Sequence, residues 1–113
     1  MTTRDNCAVV FIVYALIDTN KQEGLDILND TLDVLGITLQ DFMEYIEQIP
    51  KTESSRFAVY SEIKKLSTQD KGLVRKLMVD AYMNGGKKGD ASAAYYFKEI
   101  IENCGLATAT INI

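Results

Sequence analysis

An unbroken apolar run, "CAVVFIVYALI" at residues 7–17, constrains this chain more than any other feature. A run of about 11 apolar positions is too short to span a bilayer as a helix, which takes about 20 residues. Arg4 and Asp5 cancel one another ahead of it, and Asp18-Thr19-Asn20 follow it. It therefore has neither the positive leading segment nor the small-residue cleavage site of a signal peptide. The run reads as a helix over about 6–17 that is apolar on nearly all sides, and such a helix belongs in the middle of a core.

The rest of the chain supplies enough material to surround it. The 113 residues, 47% hydrophobic and 25% charged, fit one globular domain over 1–113 with no need of a disulfide or metal staple. The net charge of −4 and the absence of a basic run argue against nucleic acid and against an anionic membrane surface as partners. Cys7 and Cys104 lie far apart in sequence and outside any CxxC pair. They read as small buried apolar residues of a reducing, cytoplasmic compartment, with a single disulfide between them as the alternative.

Periodicity of 3.6 dominates, and sustained alternation is missing, so the expected fold is all-α. A second helix over about 22–35 carries Leu25, Leu28, Leu32 and Leu35 and ends at Gly36. A third starts behind Thr38, with Asp41 in its first turn. It shows Leu39, Phe42, Met43, Ile46 and Ile49 on one face before Pro50 stops it. A fourth carries Phe57, Tyr60, Ile63 and Leu66, and a fifth, capped by Ser67 or Thr68, carries Val74, Leu77, Met78, Ala81 and Tyr82. After "NGGKKGD", Asp90 or Ser92 caps a sixth helix with Ala94, Phe97, Ile101 and Cys104 inward and Gly105 at its end. The tail "LATATINI" reads as a short seventh helix or an extended strip.

An internal repeat links the two ends of the chain. Residues 25, 28, 32 and 35 match 94, 97, 101 and 104 at an offset of 69, and Gly36-Ile37 matches Gly105-Leu106 at the same offset. Before the loops the offset is 66, where "VYALIDTNK" lies over "VDAYMNGGK". Each copy is a helix, a polar loop and a helix closed by glycine and an aliphatic residue. Two such hairpins, packed face to face and bridged by the third and fourth helices, make one core of six to seven helices.

Catalysis finds little support. The chain has no histidine, hence neither the usual general base near neutral pH nor the commonest zinc ligand. The cysteines have no visible activator, and "NGGKKGD" lacks the Walker spacing. The pairs Asp30/Asp33 and Glu44/Glu47 read as solvated faces. The loop "DTNKQEG" has oxygen-bearing side chains at Asp18, Asn20, Gln22 and Glu23, but Glu23 sits where an EF-hand needs glycine, and Asn29 where it needs the bidentate glutamate. A looser cation site would pool Asp18, Glu23 and Asp26 with Asn84 and Asp90. Lys87 and Lys88 place positive charge where that cation would sit, which favours simple helix termination and capping. Lys87, Lys88 and the start of the sixth helix are also a candidate anion contact. Tyr95 and Tyr96 are adjacent, so both cannot face inward, and the exposed one is a candidate partner contact beside the loop.

The repeat of "DTNKQEG" and "NGGKKGD", with closing turns "DVLGITLQDF" and "ENCGLATATI", resembles the tellurite-resistance TerB-like family over about residues 5–110. The resemblance implies two pseudo-symmetric helical halves with acidic-glycine loops, a role in stress response, and loops that have been proposed as metal sites. This chain departs from the pattern. Thr19 replaces the glycine after Asp18, Glu23 comes one or two positions early, and Asn84 stands where an acid is expected, leaving Asp90 beyond two lysines. The expectation is a non-enzymatic interaction or regulatory module with no cofactor and a protein partner or a second copy to bind. A divalent cation held by Asp18, Glu23, Asn84 and Asp90 is the alternative, and Lys87, Lys88, Tyr95 and Tyr96 are the expected partner contacts.

Overall fold

In the computed structural model, which describes residues 1–107, the chain folds into six α-helices: α1 (Thr3–Tyr14), α2 (Gln22–Leu35), α3 (Leu39–Gln48), α4 (Ser55–Lys64), α5 (Thr68–Asn84) and α6 (Ala91–Asn103). No strand occurs among the described residues. The expected last helix or strip lies, beyond Ala107, outside them.

α1 starts earlier and stops earlier than the apolar run suggests. The Thr2 hydroxyl accepts from the Asp5 amide at 3.1 Å while the Asp5 carboxylate accepts from the Thr2 amide at 3.0 Å, a reciprocal cap that sets the start at Thr3. At the other end the amides of Leu16 and Ile17 bond to carbonyls three residues back, at Val13 and Tyr14, so the apolar run leaves the helix as a tight turn. Thr38 and Asp41 repeat the same reciprocal cap at α3, and the Ser67 hydroxyl caps α5 by accepting from the Asp70 amide.

α1 is the hub, as its composition requires. Residues 7–10, 12 and 13 are buried, and α1 packs against α2, α3, α4 and α5. Each enclosed valine or isoleucine contributes about 2 kcal/mol relative to exposure. One apolar cluster joins all six helices, drawing on Leu28 and Leu32, Phe42, Tyr60 and Ile63, Met78 and Ile100. Both cysteines are buried and free, with Cys104 fully enclosed and its thiol pushed up to about 12 by burial.

The offset of 69 holds at the closing turns in atomic detail. Gly36 and Gly105 have φ of 68° and 67°, a left-handed conformation that suits glycine. The Ile37 amide bonds to the Leu32 carbonyl at 3.2 Å, and the Leu106 amide to that of Ile101 at 3.0 Å. These are the same six-to-one closure, with a buried aliphatic residue just beyond each glycine. The expected stripe is buried at Leu28, Leu32, Leu35 and Cys104 and fails at its first position in each copy. Leu25 and Ala94 are exposed, while their predecessors Gly24 and Ala93 are buried. The hairpins meet through the first helices of each copy and through α2 on α5, while α6 packs on α4 and α5. The α2 and α6 stripes therefore cover neighbouring helices rather than each other.

Candidate functional site

The two loops flagged by the repeat are adjacent. The Asp18 amide donates to the Gly85 carbonyl at 2.8 Å, and Lys21 Nζ donates to the Gly86 carbonyl at 2.8 Å. The Asp18 carboxylate turns back to accept from the Asn20 amide at 3.0 Å, and its carbonyl accepts from the Lys21 amide at 3.1 Å. Gly24 presses onto that carbonyl so closely that a Cβ would overlap it. The loop is thus built from the backbone inward.

The side chains expected to hold a cation do not converge with it. Glu23 lies exposed in the first turn of α2. Asn84 Nδ2 donates to Asp80 Oδ1 at 2.8 Å, back onto α5. Asp90 caps α6, accepting from the Ser92 amide at 2.8 Å, the Ser92 hydroxyl at 2.7 Å and the Ala93 amide at 3.3 Å. These bonds hold its carboxyl below the ordinary range. Among the described residues, no group of three or more His, Cys, Asp or Glu is placed to hold a metal ion.

Beside the loops lies a cleft of about 590 Å³ lined by Phe11, Tyr14, Asp18, Arg56, Lys87 and Tyr96, among others. Lys87 and Tyr96 thus share one surface, whereas Lys88 lies outside it and Tyr95, 60% exposed, is the outward member of the tyrosine pair. The cleft's polar wall rests on residues with no signal in the sequence. Glu99 is buried, and its carboxylate takes both Arg56 Nε at 2.9 Å and Arg56 Nη2 at 3.0 Å, a forked pair. The Tyr60 hydroxyl donates to the same carboxylate at 2.8 Å. Arg56 holds the Glu99 carboxyl below its usual value, while burial and the Glu99 charge raise the Tyr60 phenol. The guanidinium also lies 4.8 Å from the Phe57 ring centre and 5.9 Å from that of Tyr96. The charges of Arg56 and Glu99 offset one another inside this cluster, which ties α4 to α6. Glu99 stays ionised and Tyr60 stays protonated, so neither is poised to move a proton near neutral pH.

A second concavity, of about 430 Å³, is apolar. α2 and α3 both pack on α1 and leave a groove between them, walled by Leu25 and Leu28 on one side and Leu39, Met43 and Ile46 on the other. Tyr14 and Phe42 also line it, and Glu47 stands at its edge. Four of its residues are large hydrophobics left in solvent: Tyr14 at 45%, Leu25 at 39%, Leu39 at 50% and Met43 at 53% exposure. Singly exposed apolar side chains are ordinary, whereas these four line one groove together. The sequence places Leu39 and Met43 on the same face as Phe42, and the structure divides that face into a buried and an open half.

No family model, curated protein or solved structure matches this chain. Nor is any helix among the described residues long and apolar enough to cross a membrane.

Proposed function

We propose that the protein is a non-enzymatic interaction module that docks a protein partner in the α2–α3 groove. The observation that carries this reading is the contiguous exposed set Tyr14, Leu25, Leu39 and Met43 around one apolar depression. A groove of this kind supplies the buried anchor positions on which affinity concentrates. The internal charge closure of Arg56, Tyr60 and Glu99 accords with it, because that cluster serves to join helices. The TerB-like resemblance and a stress-response setting belong to the same proposal, on the strength of the paired loops and closing turns.

The test is affinity capture from the native cell extract with wild-type protein and with a Leu39→Ser/Met43→Ser double variant. Both side chains are about half exposed, so the variant keeps its core. A protein held by the wild type and lost by the folded variant is the expected result. Identical captures by both proteins would end the docking reading.

A further inference from the structure

The charges of the chain are unevenly divided, and the two helices that wall the groove carry acids alone. Across residues 22–48, which form α2, its closing turn and α3, there is no lysine or arginine at all. The same stretch carries Glu23, Asp26, Asp30 and Asp33 on α2 and Asp41, Glu44 and Glu47 on α3. These are seven of the chain's 16 acids and none of its 12 bases, so the remainder of the chain has a net charge of +3. Among the described residues the ion pairs are Arg4–Glu62 and Arg56–Glu99, and neither draws on the seven. Six of the seven are exposed, with Asp41, engaged in the α3 cap, half-buried.

We infer that the groove binds a basic amphipathic helix of a partner protein, with its apolar stripe on Leu25, Leu39 and Met43 and its lysines or arginines against the flanking carboxylates. The inference rests on the docking reading above and adds the chemistry of the occupant. Glu47 lines the groove itself. At 100° per residue, Asp33 and Asp26 lie about 80° and 100° round α2 from Leu25, on its solvent-facing side. An apolar floor walled by two helices that carry only acidic charge attracts basic partners, repels acidic ones and discourages contact with an anionic membrane. An extended peptide has no sheet edge to join among the described residues, whereas a trough between two helices takes a third helix by anchors at i, i+3 or i+4, and i+7. Met43 suits such a site because its unbranched side chain can repack around different anchors.

The test uses the intact protein and three labelled peptides, each about 18 residues or five helical turns. They share one apolar stripe and differ only in polar faces of lysine, glutamine or glutamate. Binding is read by fluorescence anisotropy over a salt series. The lysine-faced peptide is expected to bind at least about tenfold more tightly than the glutamate-faced one, from a few exposed charge pairs of ordinary strength. Its affinity is expected to fall as salt rises, to be lost in Leu39→Ser/Met43→Ser, and to lose its charge preference in Asp26→Lys/Glu47→Lys. Equal binding of all three peptides, abolished by the groove variant, would overturn the basic-helix inference and leave the docking reading standing. Binding of the lysine peptide unchanged by the groove variant would overturn the inference, as diffuse attraction unconnected with the groove. Absence of binding by every peptide would overturn the inference alone, while the docking reading is decided by the capture experiment. Self-association that the groove variant dissolves, seen by sedimentation, would also overturn it by making a second copy the occupant.

Discussion

The Asp18 amide lies 2.8 Å from the Gly85 carbonyl, and this bond fastens the turn after α1 to the turn after α5. It exists because glycines allow the approach from both sides. A Cβ on Gly85 would overlap the Ala81 carbonyl and come within 2.5 Å of Ile17 Cγ2, and a Cβ on Gly24 would overlap the Asp18 carbonyl. Helix propensity alone favours alanine at position 24 by about 1 kcal/mol, but steric exclusion wins here. Gly24→Ala and Gly85→Ala are each expected to destabilise the protein by about 2–3 kcal/mol, the cost of overpacking against a fixed backbone. Gly72, within α5, has nothing within 4 Å of its virtual Cβ, and Gly72→Ala is expected to stabilise by about 0.5–1 kcal/mol. Urea denaturation midpoints at unchanged slope decide the order of the three variants.

The closing turns offer an independent comparison at the offset of 69. Gly36 has open space around it, and a Cβ on Gly105 would meet only Lys71 Nζ at 3.5 Å and Lys64 Cγ at 4.0 Å, ordinary contact distances, so crowding is not what reserves these positions. What reserves them is the left-handed backbone, with φ values of 68° and 67°. Alanine at either position is expected to cost about 1–2 kcal/mol through left-handed strain, with asparagine costing less. Matching penalties measured by chemical denaturation would establish that the two turns do the same work; a neutral Gly105→Ala would break that equivalence.

Helices and their ends are legible in this sequence because capping and helix-ending chemistry is local. Thr38 with Asp41, Ser67 with Asp70, Asp90 and the two glycines all act within a few residues of themselves. The early start of α1 is equally local, since Thr2 and Asp5 carry the signal, but the length of the apolar run outweighs it on inspection. Exposure is a different kind of fact. A 3.6-residue period tells which side chains share a face, not whether a neighbour covers that face, so Leu39 and Met43 look like core beside Phe42. The Glu99 cluster is invisible for another reason. Its partners stand 39 and 43 residues away, and no local pattern marks an acid that a distant arginine will neutralise. The one available hint is position, for Glu99 adjoins Ile100 on a helix whose acids should otherwise face water.

Burial of both thiols makes their chemistry a reporter of unfolding. Cys104 is fully enclosed and Cys7 is 2% exposed, with its sulfur 3.6 Å from the Asp41 carbonyl. Burial raises both thiols above their ordinary values, so little thiolate is present near neutral pH. Neither should react with a disulfide reagent in the native protein on the timescale of small-molecule labelling, and both should react in denaturant. Rapid stoichiometric labelling of native Cys104 would show that α6 opens far more readily than its packing implies.

Acid sensitivity should be traceable to Glu99. Arg56 holds its carboxyl below the ordinary value of 4.5, so between the two values the unfolded chain binds a proton that the folded chain does not. Stability therefore rises with pH through that interval: the contribution is fully present above about pH 4.5 and is lost as pH falls through the lowered value. In Glu99→Gln this dependence is removed, so the stability gap between wild type and variant should be largest near neutral pH and shrink toward about pH 3. Glu99→Ala goes further, because the buried Tyr60 hydroxyl, itself 2.8 Å from the carboxylate, then has no acceptor there. That loss is expected to cost about 2 kcal/mol and lower Tm by about 10 °C. Tyr60→Phe, which deletes donor and need together, should cost about 1 kcal/mol and leave the pH dependence in place. A gap between wild type and Glu99→Gln that stays constant from about pH 7 to about pH 3 would show that the carboxylate charge does not hold α4 to α6.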